Sequence, residues 1–104
     1  MTQFDVFATP SPTVRAVYPF VVILQADFSA NRVETVVAPI APAVKIPTAG
    51  GRLLPLVSFN DREFVVITNA MTTMPTGDLK RKVANLAQFH ARLLDAIDLL
   101  FFGV

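Results

Sequence analysis

The chain has 104 residues, a formal net charge of +1, no cysteine and a single histidine. That length allows one domain with a modest core, and the missing cysteines exclude a disulfide scaffold, thiol catalysis and cysteine-ligated zinc or iron–sulfur sites. The near-neutral balance provides no field to attract nucleic acid, and the longest apolar run, residues 19–24, is far short of the ~20 residues that cross a bilayer.

Residues 4–7, Phe-Asp-Val-Phe, alternate as a short half-buried strand should. Residues 9–13 carry Pro10 and Pro12 and read as a loop. Residues 18–25 are β-branched and aromatic and predict a long, buried strand, with Pro19 at a tolerated position near its start. Residues 27–32 are polar and small, a turn. Residues 34–40 form the next strand, ended by Pro39 and Pro42. Residues 41–52 hold two prolines and Gly50-Gly51 and read as a loop, with a short extended piece at residues 44–46.

Residues 53–59 and 64–68 predict a hairpin whose turn is supplied by Asn60 and Asp61. Residues 69–78, with Pro75 and Gly77, bridge towards a helix, and Lys80-Arg81-Lys82 is a solvated charge run just before it. Residues 85–104 then predict one amphipathic helix. Asn85 and Gln88 have capping-box spacing, and Gly103 suits a left-handed stop. Leu86, His90, Leu93, Ile97, Leu100 and Val104 line one stripe, widened by Phe89, Leu94 and Phe101 into a core-facing surface. His90, without a carboxylate to orient it, is expected as a core or dimer-interface side chain. Several short strands and one last helix predict a mostly β, α+β domain: an antiparallel barrel or curled sheet with the helix packed on it.

The other face of that helix is more informative. Gln88, Arg92 and Asp95 point to solvent, but so do Asp98, Leu99 and Phe102. Asp95 and Asp98 also sit where the helix dipole favours cations. Two readings follow: Leu99 and Phe102 close against a loop of their own subunit, or they meet a partner. A hydrophobic content of 53%, against the ~45–50% usual for soluble domains, predicts a homodimer with an apolar interface. No catalytic residue, metal site or cofactor is expected. Ser11, Ser29 and Ser58 lack a nucleophile elbow, and Gly50-Gly51 lacks the lysine and helix start of a phosphate loop.

The chain resembles the CcdB toxins of bacterial toxin–antitoxin modules, which poison DNA gyrase. The resemblance runs through Gln3-Phe4, Phe20-Val21, Gln25-Ala26-Asp27, Pro39-Ile40, Met71-Thr72-Thr73-Met74-Pro75 and Val83-Ala84-Asn85-Leu86. It finishes at Ala96-Ile97-Asp98-Leu99-Leu100-Phe101-Phe102-Gly103-Val104, its most specific part. It implies a single toxin domain over residues 1–104: an SH3-like antiparallel barrel with a small accessory sheet and a C-terminal α-helix. It further implies a cytoplasmic homodimer, with Leu100, Phe101 and Val104 at the dimer interface.

The implied partners are the DNA gyrase A subunit, trapped with cleaved DNA, and a cognate CcdA-like antitoxin whose disordered segment folds onto the toxin. No cofactor, membrane or direct nucleic-acid contact is implied. Phe102 matches the family tryptophan that stacks on a gyrase arginine, and Gly103 and Val104 match residues needed for killing. Asp98, Leu99 and the loop residues Phe28, Ser29 and Ala30 complete the implied gyrase-binding surface. This sequence departs from the family in having Phe102 for tryptophan, Asp98 for a neutral amide, and Phe28-Ser29-Ala30 for two isoleucines and an aspartate. The alternatives are a divergent paralogue that binds its antitoxin without poisoning gyrase, and an endoribonuclease toxin of the MazF/Kid type. The Pro-rich loop and residues 41–52 are candidate antitoxin contacts.

Overall fold

A computed structural model describes residues 1–26 and 32–103. Within them the chain forms β1 (Asp5–Ala8), α1 (Pro12–Arg15), β2 (Phe20–Ile23), β3 (Glu34–Pro42), β4 (Leu56–Phe59), β5 (Arg62–Val66), β6 (Thr72–Pro75), β7 (Lys82–Asn85) and α2 (His90–Phe102). All strand pairs are antiparallel, in the order β4-β5-β3-β2-β1-β7, with β6 also on β3. The result is a curled half-barrel with one long helix, consistent with the expected SH3-like α+β fold.

The sheet is apolar on both faces, because its strands alternate apolar residues on odd and even positions. Val6, Val22, Leu24, Ala38, Ile40, Val66 and Leu93 of α2 form the main core. Phe7, Val21, Ile23, Val37 and Leu79 form a second cluster from the residues in between. This explains why residues 4–7 are all buried rather than half-buried. Phe4 adopts a left-handed φ of 69°, a strain of ~1–2 kcal/mol for an L-residue. It is offset by burial of the ring, worth ~1.5–3 kcal/mol. Two backbone bonds hold it there, from its own amide to the Ile23 carbonyl at 2.8 Å and from the Leu86 amide to its carbonyl at 2.9 Å.

Several elements differ from the sequence expectation. The Pro-rich stretch is not wholly loop: Ser11 caps a single helical turn, with Pro12 in the first-turn position that needs no amide donor. Pro39 does not end its strand. In an antiparallel ladder the nitrogen and carbonyl of one residue face the same neighbour. The Pro39 carbonyl accepts from Ile67 at 2.9 Å, so its missing donor falls at the seam between the β6 and β5 pairings on β3. Residues 72–75 and 82–85 are strands β6 and β7 instead of a bridge and the approach to the helix. Residues 44–46 fall largely in a 3₁₀ turn, Ala43–Lys45.

The hairpin is as expected. Asn60 and Asp61 have φ of 52° and 61°, which is the two-residue type I′ geometry that follows strand twist. The expected turn at residues 27–32 lies almost entirely outside the described residues.

Candidate protein-binding surface

The helix begins later than the capping-box spacing suggests. Asn85 closes β7, and its Oδ1 accepts from the Ala87 amide at 2.8 Å, starting a 3₁₀ turn, Ala87–Phe89, that runs into α2. No side chain caps Phe89, the residue before α2. His90, expected in the core or at a dimer interface, is outside the core and exposed on the single chain, with Nδ1 3.0 Å from the Ala87 carbonyl. The apolar stripe therefore starts only after the entry turn has rotated His90 outward.

Leu93 and Ala96 are buried against the sheet, and Phe89 and Ile97 are partly buried beside them. Leu94 and Phe101, expected to widen the core face, are 42% and 62% exposed. The buried side of the helix is thus limited to Leu93 and Ala96, with Phe89 and Ile97 at its margin.

The outer face of α2 is tied down by side chains. Arg52 donates to Asp95 from Nε at 3.0 Å and from Nη2 at 2.8 Å. Arg92 donates to the Leu56 carbonyl at 2.9 Å and lies over the Phe89 ring. The bidentate hydrogen bond from Arg52 holds the Asp95 carboxyl below its usual range against the opposing effect of burial, with the guanidinium charge a lesser help. Because α2 spans His90–Phe102, Asp95 lies mid-helix, outside the last turn where the dipole was expected to disfavour it.

At the far end, the Gly103 amide bonds the Leu99 carbonyl at 3.0 Å, with Gly103 at φ 73°, as a left-handed stop requires. Just before it, Phe102 is 74% exposed. Asp98, one turn earlier on the same face, is also exposed and has no ion-pair partner among the described residues. Leu99 and Leu100 are half-buried. An aromatic ring and a carboxylate at i+4 and i can together receive a guanidinium, the ring through its face and the carboxylate through charge-assisted hydrogen bonds.

Beside this tip, Phe101 and Ile97 form one wall of an apolar groove of about 310 Å³ completed by Leu24, Gln25, Val36 and Met71. Nothing local in the sequence marks the groove: Met71 is one of two methionines in its stretch, and the other, Met74, packs against the second apolar cluster. Leu24 and Val36 read only as strand residues. Phe28, Ser29 and Val104 lie outside the described residues.

The family model described as CcdB protein matches residues 3–103. The chain belongs to the CcdB family. Its members are toxins of toxin–antitoxin modules, not classical enzymes, and the half-barrel with its last helix is the fold expected of a CcdB-family chain. No curated protein matches the chain. Among the described residues of this CcdB-family chain, no helix is long and apolar enough to cross a membrane.

Proposed function

We propose that this CcdB-family toxin acts by seating the end of α2 against the DNA gyrase A subunit and trapping gyrase with its DNA cleaved, until a CcdA-like antitoxin covers it. The carrying observation is Phe102, 74% exposed one turn from unpaired Asp98, on a helix whose opposite side is locked into the core. A rigid helix holding an aromatic in water before any partner arrives lowers the ordering cost of binding. Phe102 supplies a ring face for an arginine, and Asp98 supplies the counter-charge that a neutral amide would not. Gly103 ends the helix directly after the ring, so no further turn shields it. Leu99, Phe28, Ser29 and Val104 complete the proposed contact.

The protein works as a homodimer in this reading. The groove edged by Phe101, next to half-buried Leu100, supports a second copy as its cover, because it is nearly all apolar and runs into the same helix end. Val104 joins that interface in the proposal.

The test is a gyrase supercoiling and DNA-cleavage assay comparing wild type with Phe102→Ala. The expected result is inhibition and accumulated cleaved DNA with wild type, and a loss of at least tenfold in potency for the variant. Equal potency overturns the reading.

A further inference from the structure

The run Lys80-Arg81-Lys82 is not a simple solvated segment. Leu79 is buried between Phe7, Val21, Ile23 and Val37. It pins the chain to the sheet and leaves Lys80 and Arg81 exposed at the entrance to β7. There they wall a notch of about 300 Å³ with Asp78, Arg15 and the chain at residues 8–10. The Arg15 guanidinium is held in place by donating from Nε to the Thr9 carbonyl at 2.7 Å and from Nη2 to the Pro10 carbonyl at 3.0 Å. Three cations and one carboxylate thus share one concavity in a molecule whose net charge is +1.

The notch lies where β1 ends and the chain enters β7, the last strand of the sheet. β7 pairs with β1 on one side, and among the described residues no strand pairs with its other side. Such an edge presents backbone donors and acceptors in strand register. A polypeptide can match them, whereas a nucleic acid has no complementary backbone. Asp78 at the rim also opposes a continuous run of phosphates but leaves room for a single carboxylate.

We propose that the β7 edge and the notch beside it form a docking site for an extended acidic peptide segment of a partner protein. The segment adds as a strand along β7 and places a carboxylate between Lys80, Arg81 and Arg15. Lys82 takes no part in the notch, because its ammonium is engaged with buried Asp5 at 3.1 Å.

The test is a nitrogen-15 NMR titration of the full chain with a capped ten-residue peptide of alternating Glu and Thr. A Gln-Thr counterpart and a ten-nucleotide oligothymidylate are run in parallel. The acidic peptide should shift the amides of Lys82 and Asn85, the β7 positions turned away from β1. Affinity should fall at least tenfold for the Gln-Thr peptide and for the Lys80→Glu/Arg81→Glu variant. That variant keeps the fold, since both side chains are exposed and only the Arg81 carbonyl serves the sheet. Its spectrum away from the notch reports this directly. Phe102→Ala should bind the peptide like wild type, so this site stands or falls apart from the gyrase reading. The proposal is overturned if the oligonucleotide moves the same amides as tightly, if the β7 amides stay still, or if the double charge reversal leaves peptide binding unchanged.

Discussion

Arg52 and Asp95, far apart in sequence, meet through two parallel hydrogen bonds of 3.0 and 2.8 Å that clamp the long loop after β3 onto the outer face of α2. Both side chains are about half exposed, so water and salt screen the pair. Its role is to order the loop more than to stabilise the fold. Asp95→Asn should leave the urea midpoint nearly unchanged while amide exchange at residues 43–55 accelerates. High salt should produce the same acceleration in wild type.

Asp5 behaves differently because it is buried. Burial alone would raise its pKa. Hydrogen bonds from Asn85 Nδ2 at 2.9 Å and the Thr2 amide at 2.7 Å, together with the Lys82 ammonium, outweigh it and lower the value. A depressed carboxylate contributes stability that is complete above its unfolded pKa of ~3.9 and is lost as pH falls through the lower folded value. Wild type should therefore lose stability below about pH 4, and Asp5→Ala should show a flatter acid limb. At neutral pH the variant should be destabilised by roughly 1–3 kcal/mol, because the Asn85 and Thr2 donors lose their acceptor. Urea denaturation across pH checks both statements.

Two residues of one helix should separate scaffold from contact surface. Leu93 is 1% exposed in the main core, and Leu93→Ala should cost about 2–5 kcal/mol. Phe102→Ala should stay within about 0.5 kcal/mol of wild type, measured by the same denaturation curves, while losing gyrase inhibition.

The hairpin turn offers a stabilising change. Asp61 sits at φ 61°, a left-handed conformation that glycine adopts without the ~1–2 kcal/mol strain of an L-side chain. Asp61→Gly completes an Asn-Gly type I′ turn and should raise the urea midpoint. A lowered midpoint would mean that the aspartate supports the turn in some other way.

Features written in neighbouring residues could be read directly from the chain. Asn60-Asp61 marked its turn, Gly103 marked the helix end, and three- and four-residue spacing set Phe102 and Asp98 opposite Leu93, because backbone preference and helical periodicity act over a few positions. Partners far along the chain decided the rest. β6 and β7 are short, four residues each, and they are strands because β3 and β1 offer them free hydrogen-bonding edges. Pro39 remains inside β3 because two different strands meet opposite it. His90 faces water because β7 uses Asn85 and delays the helix. The Leu24–Met71–Phe101 groove and the notch at Arg15 and Arg81 exist only once the sheet has curled. A contact between distant residues depends on how the whole chain closes, and that closure has no local signature.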